Sequence, residues 1–133
     1  MITKAALLLF RDNEGSTELL FARAKGRGYF VFPGGKREEG ETLEGALRRE
    51  LQEELGTDVK NVEKMGVVAG RTPDGRDMEM HLYSGDLVGT PHPQAEIEEI
   101  VWMSKIGISK HSRAMTPMTL DHVLPFLESA NAW

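Results

Sequence analysis

A pair of glycines leading into an acidic helix, Gly34 to Thr57, constrains this chain more than any other stretch. Seven glutamates lie between Glu38 and Glu54. The chain has no cysteine and only 4 histidines among its 133 residues, so carboxylate and carbonyl oxygens are its main potential metal ligands. Such a concentration of carboxylates is typical of a site for a hard divalent cation.

The helix in this stretch has clear predicted ends, with Thr42 as N-cap and Gly56 just beyond the C-terminus. A core-facing stripe is predicted from leucines at every fourth position, namely Leu43, Leu47, Leu51 and Leu55. Glu50, Glu53 and Glu54 stand at i, i+3 and i+4, so their side chains meet on one face, with Glu54 nearest the leucines. We therefore expect these carboxylates at the rim of the core, where the helix borders a cleft.

Like charges at this spacing repel one another, by roughly a few tenths of a kcal/mol per pair on an isolated helix. A solvated acidic face would explain the charge alone. It would not explain the glycine loop before the helix, or Arg48 and Arg49 beside the glutamates. A bound Mg²⁺ or Mn²⁺ would turn the repulsion into coordination.

The stretch also follows a longer pattern, G-x5-E-x7-R-E-U-x-E-E-x-G-U, in which U is an aliphatic residue. The matching residues are Gly35, Glu41, Arg49, Glu50, Leu51, Glu53, Glu54 and Gly56. The last position departs from the pattern, because Thr57 replaces an aliphatic residue, which affects packing rather than chemistry. With this pattern the chain resembles the Nudix hydrolases, and we call Gly35–Thr57 the Nudix box. The flanking segments Phe32–Lys36 and Glu96–Trp102 also resemble the family.

The resemblance implies the fold and the chemistry. The fold is an α/β/α sandwich with a mixed β-sheet and the box as a loop–helix–loop, in a single domain over residues 1–133. The reaction is hydrolysis of a nucleoside diphosphate linked to another group, in which water attacks a phosphorus and Mg²⁺ or Mn²⁺ carries much of the catalysis. A diphosphate repels an anionic nucleophile, so cations that neutralise it meet a physical need.

The family pattern also implies roles inside the box. Glu50, Glu53 and Glu54 are the expected metal ligands, joined by the backbone carbonyl of Gly35. Arg49 is expected to orient a box glutamate, the alternative being an ordinary arginine on the helix surface. Glu53 or Glu50 is the expected general base, so we predict a catalytic group of Glu53, Glu50 and Arg49.

Further candidates lie outside the family pattern of the box. Glu96 and Glu99 are candidates for an additional metal ligand or the general base, Glu96 mainly as a ligand and Glu99 also for binding the substrate. The alternative for both is a charged edge strand that resists aggregation. Arg23 and Lys36 belong to a basic border that suits a triphosphate, and Phe32 is a candidate for stacking on a base, although at least one aromatic residue here belongs to the core.

Apolar runs predict the elements around the box. The predicted strands are residues 5–10, 19–22, 29–32, 62–69 and 78–83. The first two form a hairpin, and the last two are joined by the turn Gly70–Arg76. An amphipathic helix is predicted from Pro117, interrupted near Pro125 and packed on the other face of the sheet.

Charge and composition exclude several classes of function. A net charge of −5 argues against binding to long nucleic acids. No stretch approaches the apolar length of a membrane span, and the first residues are expected to form a strand rather than a signal peptide. The absence of cysteine fits a reducing compartment, so the expected location is the cytoplasm.

The short form of the chain resembles the branch of the family that hydrolyses (d)NTPs, including oxidised ones such as 8-oxo-dGTP, to a nucleoside monophosphate and diphosphate. An ADP-ribose or nucleotide-sugar pyrophosphatase is the alternative, to which Pro73 gives weak support. A dinucleoside polyphosphate hydrolase stays open, as does a non-catalytic nucleotide-binding module, although all three box glutamates are retained. Because dimers are common in the family, the resemblance also allows a homodimer.

Overall fold

The structure, a computed structural model, describes residues 1–133. The strands are β1 (Ile2–Leu7), β2 (Phe10–Asn13), β3 (Ser16–Ala24), β4 (Gly34–Lys36), β5 (Asp58–Arg71), β6 (Asp77–Val88) and β7 (Ile97–Met103). The α-helices are α1 (Leu43–Leu55), α2 (Lys105–Lys110) and α3 (Leu124–Ser129), with a 3₁₀ turn at Ser112–Ala114 and a π-helical turn at Thr119–Val123.

The strands form one mixed sheet and one antiparallel sheet. The mixed sheet has the order β4-β1-β6-β5, in which β1 and β6 are parallel and the other pairs are antiparallel. The second sheet has the order β2-β3-β7. The mixed sheet carries helices on both of its faces, which confirms the predicted α/β/α sandwich.

The mixed sheet separates two apolar cores, because neighbouring residues of a strand point to opposite faces. On one face, the α1 leucines pack with Ala5, Leu7 and Tyr83. On the other face, the C-terminal residues Met118, Val123 and Leu127 pack with Ala6, Met78 and Leu82. The sheet that carries the box is therefore packed against an apolar core on each of its faces.

Helix α1 has the predicted boundaries. The Thr42 hydroxyl accepts a hydrogen bond from the Gly45 N–H at 3.0 Å, and Gly56 adopts a left-handed φ of 66°. Leu47, Leu51 and Leu55 are fully buried, as the stripe predicted, whereas Leu43 is only partly buried. Local capping and periodicity thus fix the helix that carries the acidic residues.

The apolar run 5–10 was predicted as one strand, and this prediction is wrong. β1 ends at Leu7, β2 begins at Phe10, and the two strands belong to different sheets. Between them, the Leu8 N–H donates to the carbonyl of Tyr83 at 2.8 Å, and the Leu9 carbonyl accepts from the Leu20 N–H at 3.0 Å. The chain therefore keeps one backbone hydrogen bond to each sheet as it passes from one to the other. The predicted hairpin exists as β2 and β3.

The segment before the box also differs from the prediction. Residues 29–32 form only isolated bridges, Val31 with Ala22 and Phe30 with Met115, instead of a strand. The predicted loop at Gly34–Lys36 is instead strand β4, paired with β1. Gly34 has a φ of 132°, and a Cβ there would collide with the Ala5 carbonyl, so glycine allows this close approach.

The C-terminal helix is interrupted as predicted. Pro125 has no N–H, so it cannot donate to the carbonyl of Asp121 as a regular helix requires. The Leu124 N–H bonds instead to the Thr119 carbonyl across the π-helical turn. None of the helices combines the length and apolar character needed to cross a membrane.

Candidate active site

The three box glutamates show a gradient of burial along α1. Glu54 is buried with 6% of its surface exposed, whereas the side chains of Glu50 and Glu53 are 16% and 50% exposed. This order follows from helix geometry, since Glu54 lies beside the buried Leu51 and Leu55. The carboxylates therefore run from the core to the solvent, as the sequence predicted.

Arg49 holds the loop and the helix of the box together. Its guanidinium makes two hydrogen bonds to the Glu41 carboxylate, at 2.8 and 2.9 Å, and one to the Lys36 carbonyl at 3.2 Å. It also contacts Glu50 at 3.0 Å and Glu53 at 3.5 Å. The hydrogen bonds that Arg49 and the Glu38 N–H donate to the Glu41 carboxylate lower the pKa of Glu41 to about 2. Arg49 is thus hydrogen-bonded to several groups of the box, whereas an ordinary arginine on the helix surface would make few such bonds.

The glycines of β4 make room for two of the carboxylates. The Gly34 N–H donates to Glu54 Oε1 at 2.9 Å. A Cβ on Gly35 would lie 2.5 Å from the carboxyl carbon of Glu50, so a side chain there would displace that carboxylate. The Gly-Gly sequence therefore lets the Glu50 and Glu54 carboxylates approach the backbone of β4 closely.

Nearby positive charge does not offset the cost of burying the Glu50 and Glu54 carboxylates. Burial raises the pKa of Glu54 to about 8, with further contributions from Glu50 and Glu96. Burial also raises the pKa of Glu50, although the hydrogen bond from Arg49 opposes that change. The charged forms are therefore unfavourable, and a cation placed among them would stabilise them.

These residues fit a hard divalent cation by their chemistry. The predicted donors are carboxylate oxygens together with the carbonyl of Gly35, and oxygen ligands are those that Mg²⁺ and Mn²⁺ prefer. No three histidine, aspartate or glutamate side chains are gathered closely enough to form a complete metal site. Arg49 contacts two of the three box glutamates, so a cation would compete with its guanidinium for their oxygens.

Two clefts meet beside the box. The apolar cleft is lined by Ala5, Ala6, Val31, Phe32, Met78, Met80, Met118 and other residues. The acidic cleft contains Glu50 and Glu54 and is also lined by basic residues, namely Lys36 and Arg76. Both clefts share a wall formed by Lys4, Arg27, Tyr29, Gly34, Gly35 and Pro73. An elongated ligand with an apolar end and a charged end would fit this arrangement.

The predicted site residues other than Gly35, Arg49 and the three box glutamates fall into two groups. Lys36 lines the acidic cleft, and Phe32 lines the apolar cleft. Phe32 is only 4% exposed and stacks on Phe21 with ring centroids 4.8 Å apart, so one of its faces is occupied by the core. Only the other face of Phe32 is left for a base, and its role in binding one stays a prediction.

Arg23 and Glu99 line neither cleft. Arg23 bonds to Glu99 at 2.8 Å and to Glu98 at 3.2 Å, which ties β3 to β7. This pairing fits the alternative interpretation of these residues, a charged edge strand that resists aggregation. Glu96 lies exposed in the turn before β7, and its charge contributes to the raised pKa of Glu50 and Glu54. The roles of these residues stay predictions.

Several residues that line the clefts were not singled out from the sequence as site residues. Lys4 and Arg76 are basic residues of the acidic cleft, and Thr116 and Thr119 are polar residues of the apolar cleft. The Thr116 hydroxyl donates to the Thr119 hydroxyl at 3.1 Å inside the protein. One feature of the sequence could have identified Lys4. It lies two residues before Ala6 on the same strand, so both side chains point to the same face of the sheet, where Ala6 is buried.

Two curated relatives share parts of the sequence. The 8-oxo-dGTP diphosphatase of Proteus vulgaris is 53% identical over 47 residues, which span 35% of this chain and 42% of that protein. The oxidized purine nucleoside triphosphate hydrolase of Mus musculus is 38% identical over 77 residues, 56% of this chain and 49% of that protein. The matches thus span less than half the length of each relative.

The fold is shared with solved structures. A NUDIX hydrolase from Nitrosomonas europaea superimposes with a TM-score of 0.77 at 22% sequence identity, over 98% of this chain and 88% of that one. The family model for the NUDIX domain matches residues 1–118. Because this match covers most of the chain and includes the whole box, the chain belongs to the Nudix family.

Proposed function

We propose that the chain hydrolyses a nucleoside triphosphate, with an oxidised purine such as 8-oxo-dGTP as the leading candidate, in a reaction that depends on Mg²⁺ or Mn²⁺. Water and the triphosphate would give a nucleoside monophosphate, diphosphate and a proton. The observation that carries this proposal is the shared wall between an apolar cleft and an acidic cleft. The two curated relatives named above support the choice of an oxidised purine.

The division of the site suits a nucleotide. Methionine, alanine and phenylalanine side chains of the apolar cleft can cover the flat faces of a base. Beyond the shared wall, Lys36 can pair with phosphate oxygens, whereas Arg76 is held in an ion pair with Asp74 at 3.0 Å. Divalent cations held by Glu50, Glu53, Glu54 and the Gly35 carbonyl would neutralise the phosphates and activate the attack by water.

The protein's own residues would hold this machinery in place. The Gly34 N–H fixes Glu54, and Arg49 fixes Glu50 through a bond at 3.0 Å. Glu53 is the most exposed of the three, and its longer contact with Arg49 leaves it freer to accept a proton. We therefore assign Glu53 as the general base that takes the proton of the attacking water.

A hydrolysis screen tests the proposal. The purified protein would be incubated with Mg²⁺ or Mn²⁺ and with 8-oxo-dGTP, the normal dNTPs, ADP-ribose, a nucleotide sugar and a dinucleoside polyphosphate, and the products separated by chromatography. We expect monophosphate and diphosphate from 8-oxo-dGTP at the highest kcat/KM, with no turnover in EDTA. A preference for ADP-ribose would move the chain to the alternative substrate class, and no turnover of any compound would reject the enzymatic proposal.

A pair of variants separates catalysis from general surface charge. Glu53→Gln removes the proposed base, which lies on α1 next to Arg49, whereas Glu63→Gln removes an exposed glutamate of β5; neither residue lines a cleft. We expect Glu53→Gln to lower kcat by about 10²-fold or more, as general-base catalysis implies. Glu63→Gln is expected to keep the wild-type kcat.

A further inference from the structure

Lys4 carries a positive charge that the fold itself does not use. It lies on β1 and lines both the apolar and the acidic cleft. Its ammonium has neither a hydrogen bond nor an ion pair within the protein, and its electrostatic neighbours Glu50 and Glu54 act only at longer range. A half-buried cation without a partner is unfavourable, so its presence calls for a ligand.

The strand register makes this position more unfavourable still. Lys4 of β1 stands directly opposite Lys36 of β4 in an antiparallel pair. Like charges that face each other across two strands repel, since their Cβ atoms are only about 5 Å apart. The neighbour of Lys4 on the other side is Met80 of β6, which provides no compensating charge. Two lysines that stand opposite each other in a strand pair can, however, both reach a single anion bound beside the strands.

The positions of the two lysines indicate which anion this is. Lys36 lines the acidic cleft alone, whereas Lys4 lies on the wall between that cleft and the apolar one. A nucleotide that spans both clefts would place its first phosphate, the one attached to the nucleoside, at this wall. We propose that Lys4 is a substrate-binding residue that recognises the nucleoside-linked phosphate, with Lys36 completing the pair; this inference rests on the proposed function.

A binding experiment without turnover tests this assignment. The dissociation constants of nucleosides and of their 5′-monophosphates would be measured by calorimetry in EDTA, so that no metal ion bridges the phosphate to the glutamates. The panel would contain 8-oxo-dGMP, dGMP, dCMP and AMP with the matching nucleosides. The variants would be Lys4→Met, which keeps the length but removes the charge, Lys4→Arg, which keeps the charge, and the control Lys110→Met on the exposed end of α2.

The expected result is specific to the phosphate. Lys4→Met should weaken monophosphate binding by about 10- to 100-fold, the effect of losing a hydrogen bond to a charged group. Nucleoside binding should stay unchanged, Lys4→Arg should keep much of the affinity, and Lys110→Met should match the wild type. Thermal unfolding would show that Lys4→Met folds. Should Lys4→Met fail to fold, the same comparison would be made with Lys4→Gln.

Three outcomes would overturn the inference. An equal loss for nucleoside and monophosphate would place Lys4 against the base. Unchanged binding of both in Lys4→Met, in a protein whose wild type hydrolyses a nucleotide, would reject the inference and leave the proposed function standing. If the wild type bound none of the monophosphates and hydrolysed no nucleotide, both proposals would fail together.

Discussion

The burial of Glu54 predicts that the metal-free protein becomes less stable as the pH rises. The pKa of this carboxyl is about 8 in the folded protein, chiefly because it is buried, against roughly 4.3 for a glutamate in an unfolded chain. Between these two values the folded state binds more protons than the unfolded state. The free energy of unfolding is therefore highest below the unfolded pKa and falls as the pH rises to about 8.

The size of this effect follows from the linkage between protons and folding. Each pH unit inside the window changes the free energy of unfolding by about 1.36 kcal/mol per proton. Between pH 6 and pH 8 the loss due to Glu54 is about 2 kcal/mol, because the group is half ionised at the upper end. Glu54→Gln removes the titration, and its amide oxygen can still accept the bond from the Gly34 N–H.

Urea unfolding in EDTA at pH 6, 7 and 8 would measure the effect on wild type, Glu54→Gln and the more exposed Glu53→Gln. The stability of Glu54→Gln relative to wild type should increase by about 2 kcal/mol from pH 6 to pH 8. Glu53→Gln should follow the wild-type profile closely. Adding Mg²⁺ should stabilise the wild type more at pH 8 than at pH 6, because protons and the cation compete for the same oxygens. Parallel profiles for wild type and Glu54→Gln would refute the argument that burial keeps this carboxyl protonated.

Other changes test the packing of the box. Gly35→Ala should displace the Glu50 carboxylate and lower kcat by about 10-fold or more, as a mispositioned group does, while the same change at Gly107, where a Cβ meets nothing closer than 3.5 Å, should leave kcat unchanged. Circular dichroism would check that both glycine variants fold. Thr57→Val should raise the free energy of unfolding by about 1 kcal/mol in urea titrations, because the Thr57 hydroxyl is buried without a partner. A lower free energy of unfolding in Thr57→Val would contradict the argument that the Thr57 hydroxyl has no partner.

Features encoded by neighbouring residues could be predicted from the sequence. The ends of α1 depend on Thr42 and Gly56, which act on backbone groups within one turn. The order of burial of the three glutamates follows from the leucine spacing alone. Even Thr57 was recognised as a departure that affects packing, and the structure shows it buried at the aliphatic position of the pattern.

Features that depend on distant parts of the chain could not be predicted in this way. The division of the run 5–10 between two sheets is decided by pairing of β1 with β6, more than 70 residues away along the chain. Strand β4 was predicted as a loop because its glycines suggest a turn, whereas Gly34 brings the backbone of β4 against Ala5 and Gly35 leaves room for Glu50. Neither outcome can be read from local propensity, because each strand gains its stability from its partners.

The same distinction explains which basic residues were recognised. Arg23 belongs to an evident cluster of positive charges in the sequence, yet its guanidinium is bound to Glu98 and Glu99. Lys4 is isolated among apolar residues, and only the register of β1 with β4 shows that it faces Lys36 beside the box. A cation that the fold leaves unpaired is more available to a phosphate than one already neutralised by two carboxylates. Should monophosphate binding depend on Lys4 and not on Arg23, an unpaired lysine at an inward position of a strand would be a better indicator of this binding site than the local density of basic residues.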